Sequence, residues 1–320
     1  MTKLTPQELA AGKNVMKQCL AVKPGESVLI VTDPTRRLLA GIFETAAKEI
    51  TAKVDVAVVS GMTGNAQEPP PQIQRIMARS NHCLLITTYS LSHTKARKNA
   101  CAAGCRIASM PGITAHIIKR TLTADYTQIA KLSTKLAKIL TQAKTANLTS
   151  PAGTDLSFNL SGRTALADTG LYLKPGSWGN LPAGEACIGP LENKTQGRLV
   201  IDGALAGIEL DRPVEITIKN GFAVKITGGQ AALKFIKSLN QAGTAAFQVA
   251  ELGIGTNPLA KLSPNVLEAE KVYGTCHVAL GNNLSYGGRI NVPFHSDGII
   301  LNPTLQIDGK IIIKSGKIVV

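Results

Sequence analysis

In Pro293-Phe294-His295-Ser296-Asp297-Gly298 a histidine and an aspartate stand two residues apart. Alternate side chains of an extended strand share a face, so this spacing sets an imidazole beside a carboxylate. Three further residues invite the same question. His277 lies in the strand-like run Thr275-Cys276-His277-Val278-Ala279-Leu280-Gly281, and Glu185 follows the tight Gly/Pro context Asn180-Leu181-Pro182-Ala183-Gly184. Glu251 sits between Phe247-Gln248-Val249-Ala250 and Leu252-Gly253. Acids inside apolar stretches are costly to bury unless they are paired or ligated. Oxygen and imidazole donors together suit Zn, Mn, Co or Fe(II). Taken singly, each has an ordinary explanation: a strand pair for His-x-Asp, a salt bridge for a lone glutamate.

The elements that must hold these residues follow from periodicity. Thr5-Pro6-Gln7-Glu8 is a helix start, with Thr5 as cap, Pro6 at the first position and Glu8 closing a capping box, for a helix reaching Leu20. Apolar strands are expected at 27–31, 54–59, 83–87 and 106–109, alternating with helices at 35–50, 73–79 and 94–103. Continuous apolar strands alternating with helices imply a parallel sheet covered on both faces, a Rossmann-like α/β domain. It lacks a dinucleotide fingerprint, because the loop Asp33-Pro34-Thr35-Arg36-Arg37 holds no glycine for a pyrophosphate to approach.

A long helix from Tyr126 to about Ala146 ends that domain, with Asn147 to Gly153 as the boundary: residues 1–147, then 148–320. Beyond it come short alternating runs at 155–160, 197–202, 214–219 and 222–227. Asn220-Gly221, Asp308-Gly309 and Ser315-Gly316 are hairpin signals. Only Gln230 to Asn240 is clearly helical. The fold class is therefore α/β plus β-rich: a parallel-sheet domain followed by a mainly antiparallel β (α+β) domain carrying the metal-site candidates.

Composition narrows the function. With 44% hydrophobic and 18% charged residues the chain is globular, and aromatics at 4% are too few for a base-stacking platform. The net charge of +14 is spread along the chain. Its densest place, Lys131, Lys135 and Lys138, opposes Ile129, Leu132, Leu136 and Leu140 as the wet face of an amphipathic helix does. No nucleic-acid partner is expected from it. Cysteines at 19, 83, 101, 105, 187 and 276 make no disulfide framework, and Cys101 and Cys105 have no further ligands nearby in sequence. Met1 to Glu8 has no signal-peptide core and no segment is long enough to span a membrane, so a cytoplasmic protein is expected. Gly228-Gly229 offers a helix entry for an anion, and His93 a helix cap.

The stretches Asn180 to Glu185 with Pro190, Ala250 to Gly253, Cys276 to Gly281 and His295 to Asp297 occur in the order found in the aminopeptidase T metallopeptidases. The chain resembles that family, and also the related 2,5-dihydroxypyridine dioxygenases. The resemblance implies a pair of divalent metals, Zn, Co or Mn, held by Glu185, Glu251, His277, His295 and Asp297. Glu270 lies near a further acidic position of the family, and Glu251 or Glu270 would carry the proton to a leaving amine. Glu185 or Asp297 would bridge the ions. The peptidases carry a tyrosine seven residues after the histidine matching His277. Here that position is Leu284; Tyr286, two further on, takes the catalytic role through a local shift, or the peptidase reaction is absent.

The expected function is a divalent-metal-dependent aminopeptidase acting on peptides, a homodimer by resemblance. One alternative is a non-haem Fe(II) ring-cleaving dioxygenase with a small-molecule substrate, using His277, His295 and Asp297. The other is a non-catalytic binding protein on the same scaffold.

Overall fold

A computed structural model describes residues 4–263 and 265–320; Met1 to Lys3, where the reading of the N-terminus begins, lie outside them. The chain forms two compact units: residues 1–128 with 170–183, and 129–169 with 184–320.

In the first unit five strands pair in parallel, ordered Val54–Val58, Val28–Thr32, His82–Ile86, Arg106–Ser109 and Trp178–Asn180. Val28–Thr32 and His82–Ile86 are buried throughout, as central strands covered on both faces must be. The capping box at Thr5 and Glu8 forms, and the helix Pro6–Asn14 continues as a π-helical turn, Val15–Cys19. Helices Arg37–Lys48, Pro71–Arg79 and Lys95–Ala102 separate the strands as the periodicity implies. A short helix, Ala115–Thr121, was not legible in the sequence pattern. Thr94, not His93, caps Lys95–Ala102; His93 meets the Trp178 ring edge-on at 6.4 Å.

The second unit packs two antiparallel sheets around one core. The eight-stranded sheet runs from Phe222–Thr227 through Val214–Lys219, Gln196–Ile201, Asp155–Asn159, Thr145–Thr149, Thr304–Ile307 and Lys310–Lys314 to Lys317–Ile318. All three expected hairpin turns put both central residues at positive φ, as a two-residue primed turn requires. The long helix stops at Gln142, earlier than Ala146, because Thr145–Thr149 alternates exposed and buried as a strand. Lys131, Lys135 and Lys138 are exposed, while Leu136 and Leu140 join the core. After Gly228-Gly229 the helix entry is served from within the chain: both carboxylate oxygens of Asp211 accept hydrogen bonds from the amides of Gln230 and Ala231.

The six-stranded sheet is ordered Ala204–Leu205, His295–Ile300, Cys276–Gly281, Val249–Gly255, Glu185–Ile188 and Leu166–Asp168. One face supplies Ala186, Ile188, Leu252, Ile254, Cys276, Val278, Leu280 and Ile300 to the core. The other face carries the candidate site residues. No helix among the described residues is long and apolar enough to cross a membrane.

Candidate functional site

Strand register places the candidate residues on the non-core face. Glu251 lies opposite Ala279, and Ala279 opposite Asp297; Gly281 pairs with His295, Gly253 with His277, and Gly255 with Glu185. Directly opposed residues of antiparallel strands point the same way. The five side chains therefore rise together, spaced by alanine and glycine that leave them room.

A β-bulge makes this possible for Glu251. Val249 pairs with Leu280 and faces the core, yet Glu251 pairs with Ala279 on the opposite face, the register shifting between them. One extra residue reverses the face of everything after it, and Ala250 is that residue. Gly253 is needed for a different reason. A Cβ there would overlap Nε2, Cε1 and Cδ2 of His277, the last at 2.7 Å.

The donors form two groups that share Glu251. In each, the candidate ligand atoms lie within 4.8 Å of one another: Glu185, Glu251 and His277, and Glu251, His295 and Asp297. His277 Nε2 is 3.3 Å from Glu185 Oε2 and 3.6 Å from Glu251 Oε1. His295 Nε2 is 3.0 Å from Glu251 Oε2 and 3.4 Å from Asp297 Oδ1. The two histidines are thus joined through Glu251, and among the described residues His277, His295 and Asp297 do not by themselves meet as one group. Both nitrogens of His277 and Glu185 Oε2 are buried without a hydrogen-bond partner. Buried donor atoms left unused mark a position that fits a cation.

Access differs between the groups. Glu185, Glu251 and His277 are all buried, whereas the His295 side chain is 27% exposed. Its Nδ1 lies 2.8 Å from the Asn282 carbonyl. A carbonyl can only accept, so the Nδ1 proton points there and Nε2 presents its lone pair to the carboxylates in the neutral ring. The Tyr286 ring stacks on His295, centroids 5.5 Å apart and planes at 24°. Leu284, at the spacing of the peptidase tyrosine, is 48% exposed and faces away. The loop carrying Asn282 and Tyr286 is tied down by Glu192. Its Oε1 accepts from Asn283 Nδ2 and the Arg289 amide, while Arg163 bonds both Glu192 Oε2 and the Gly287 carbonyl.

Sequence reasoning missed a lysine. Lys271 Nζ, buried, stands 2.7 Å from Glu185 Oε1, 2.7 Å from Glu270 Oε1 and 3.3 Å from Asp168 Oδ2. In Leu267-Glu268-Ala269-Glu270-Lys271 it reads as part of a charged surface helix. The helix is only one turn, Val266–Ala269, and it delivers Glu270 and Lys271 to the site face.

The charges settle accordingly. Burial pushes the Glu185 carboxyl up to about 8, against the pull of Lys271 and with a push from Glu270. Glu251 is buried too, but the His277 and His295 rings beside it outweigh that and hold it well below the usual carboxylate range. Burial alone would lower His277, yet Glu251 and Glu185 raise it to about 9. Burial likewise opposes, but Asp297 and Glu251 dominate, and His295 sits well above an ordinary imidazole. Desolvation of Lys271 is overcome by Glu185, Glu270 and Asp168, keeping it a firm cation. Burial raises the Tyr286 phenol well above its ordinary value, with Glu251 adding to it. Cys187, on the same face, is driven up by burial and the two glutamates, and Cys276 faces the core. All six cysteines are free, and Cys101 with Cys105 joins no donor group among the described residues.

Comparison with known proteins gives one family and two solved structures of the same fold. A family model described as 2,5-dihydroxypyridine 5,6-dioxygenase matches residues 8–320. The 2,5-dihydroxypyridine 5,6-dioxygenase of Pseudomonas putida is 26% identical over 199 residues, covering 57% of this chain and 56% of that protein. The matched segment thus spans little more than half of the relative. The solved structure of 2,5-dihydroxypyridine dioxygenase from Pseudomonas putida KT2440 superposes with a TM-score of 0.83 at 21% identity, covering 99% of this chain and 98% of that one. Wild-type AmpT from Thermus thermophilus gives 0.70 at 13% identity, covering 98% and 99%. At those identities the two structures establish the fold, α/β plus β-rich, and no more.

Proposed function

The chain belongs to the 2,5-dihydroxypyridine 5,6-dioxygenase family, and from that premise we propose that it opens a hydroxylated pyridine or related aromatic ring with O₂, using one Fe(II) held by Glu251, His295 and Asp297. The observation that carries the reading is the His295 group. It is the donor set with an open side, and Tyr286 roofs it with an aromatic face. Imidazole and carboxylate donors together suit Fe(II), and a ferrous ion would offer open positions for O₂ and a ring hydroxyl and relay electrons from the ring to O₂.

The chain's own residues do the rest. The Asn282 carbonyl holds the Nδ1 proton of His295, so that Nε2 faces the ion position. Glu251 stays ionised there, which supplies negative charge without a proton to lose. Tyr286 keeps its phenolic proton and can donate it in a hydrogen bond to an oxygen on the ring it stacks beside. Ring stacking on an aromatic face also favours a flat substrate over an extended peptide.

The peptidase reading has one observation in its favour: Glu251 belongs to both donor groups, as a ligand shared by two ions would. One experiment separates the two. Protein loaded anaerobically with Fe(II) should take up O₂ on addition of 2,5-dihydroxypyridine, and His295→Ala should not. Hydrolysis of Leu-p-nitroanilide restored by Co, Mn or Zn, without O₂ uptake, would replace this reading with the hydrolase.

A further inference from the structure

Gly189-Pro190-Leu191-Glu192 follows the strand Glu185–Ile188 and touches the loop of Asn282 and Tyr286 at two places. Glu192 grips that loop with its carboxylate, at Asn283 and the Arg289 amide. Gly189 meets it with no side chain at all. A Cβ there would stand 2.8 Å from the Tyr286 carbonyl oxygen and 2.9 Å from the Tyr286 Cβ. The Ala250 carbonyl oxygen lies 3.4 Å from the same point, an ordinary contact. Gly189 thus sits where the bulge that turns Glu251 onto the site face meets the turn Leu284–Tyr286. We propose that Gly189 is a positioning residue for the ring-opening reaction: carrying no side chain, it seats this turn at the depth that brings the Tyr286 phenol to the substrate.

Of the two partners, the Gly189 segment is the firmer. Gly189 is buried, Pro190 fixes its own φ, and the Leu191 amide donates to the Asn159 carbonyl at 2.8 Å. The turn is the softer. Leu284 and Ser285 are exposed, and the Tyr286 and Gly287 amides close it on the carbonyls of Asn283 and Leu284. The Gly189 backbone lies outside the left-handed region, so alanine meets no conformational strain there beyond this contact. Its methyl would lift the turn by about half an ångström to reach the 3.4 Å at which ordinary contact begins.

That lift would act on the phenol more than on the histidine. Asn282 and Tyr286 both hold His295, one by its carbonyl and one by its ring. Asn282 is tied down independently of the turn: its amide donates to the Phe294 carbonyl at 2.7 Å and its Nδ2 to the Val292 carbonyl at 3.1 Å. The bond to His295 Nδ1 therefore stays while Tyr286 moves. Misplacing a group by about 1 Å costs on the order of a hundred-fold in rate, so half of that should cost about ten-fold.

The inference rests on the ring-opening reading, and a double-mutant cycle on Fe(II)-loaded protein tests it. Gly189→Ala should keep its iron and lose about ten-fold in kcat/KM for O₂ uptake with 2,5-dihydroxypyridine. In the Tyr286→Phe background, where the phenol is already gone, the same change should cost no more than about two-fold. An equal loss in both backgrounds, or none in the native one, would overturn the proposal. So would a Gly189→Ala chain that fails to fold, since the contact would then support the fold and not the turn alone.

Amide exchange reads the displacement without turnover. Gly189→Ala should speed exchange of the Tyr286 and Gly287 amides and leave that of Leu252 to Ile254, in the neighbouring strand, unchanged. Unaltered exchange at Tyr286 and Gly287 would also overturn the proposal. Absent O₂ uptake by the native Fe(II)-loaded protein, with exchange in Gly189→Ala faster as expected, refutes the ring-opening reading and leaves the seating of Tyr286 standing.

Discussion

Gly253→Ala tests whether the sheet register really delivers His277 to the site. The added methyl would overlap three ring atoms, Nε2, Cε1 and Cδ2, with even Cδ2 at 2.7 Å against the 3.4 Å at which ordinary contact begins. The ring must retreat by more than half an ångström, yet His277 is fully buried and Ile299 flanks it on the next strand. Overpacking of a closed core costs about 1–3 kcal/mol, and a rigid ring against a central strand belongs at the upper end. Gly41→Ala is the control: Gly41 lies inside Arg37–Lys48 with nothing within 4 Å of its added Cβ, so it should gain roughly 0.5–1 kcal/mol from helix propensity. Urea unfolding of the two variants beside the native protein gives the difference, expected to be about 2–4 kcal/mol between them. Equal midpoints would refute the placement of His277 against Gly253, and with it the shared face on which the site is built.

Three further outcomes follow from the same geometry. Tyr286→Phe should keep its bound iron and lose about ten- to a hundred-fold in turnover, since it retains the stacked ring and loses one hydrogen-bond donor; unchanged turnover would remove the phenol from the reaction. Metal-free protein should lose stability as pH rises from about 5 to 9, measured by urea midpoints in the presence of a chelator. Folded Glu185, raised to about 8, and folded His277, raised to about 9, each bind a proton that the unfolded chain has released, so the slope is negative and steepest between 6.5 and 8; a midpoint rising over that interval contradicts the charge assignment. Arg163→Met leaves Glu192 without its ion pair and the Gly287 carbonyl without its donor, which should cost about 1–3 kcal/mol and speed amide exchange across 282–292. Unaltered exchange there would show that the loop is held by something else.

The α/β part was legible because its strands are continuous apolar runs, and periodicity is at its plainest when both faces are buried. Turn chemistry was equally readable: Asn220-Gly221, Asp308-Gly309 and Ser315-Gly316 each demand positive φ twice over, and few residue pairs tolerate it. The end of the long helix was not, since Thr145 to Thr149 carries enough apolar residues to extend a helical pattern until the strand pairing is known. At the site, His295 and Asp297 could be placed side by side from spacing alone. Their grouping with Glu251 and not with His277 depends on a bulge at Ala250, which no local pattern announces. Lys271 was hidden for a related reason: a lysine after Glu-Ala-Glu looks solvated until the fold buries it among three carboxylates. Leu284 and Tyr286 show the converse, a sequence position that carries the peptidase spacing but faces solvent, and a neighbour that reaches the histidine.

The measurement that bears most directly on the proposed reaction is isotopic. Protein reconstituted with Fe(II) should be given 2,5-dihydroxypyridine under ¹⁸O₂ and the product examined by mass spectrometry. The account predicts a ring-opened product carrying two labelled oxygen atoms, formed only while His295, Asp297 and Glu251 are intact. Turnover without label from O₂, or with the ring left closed, would contradict it.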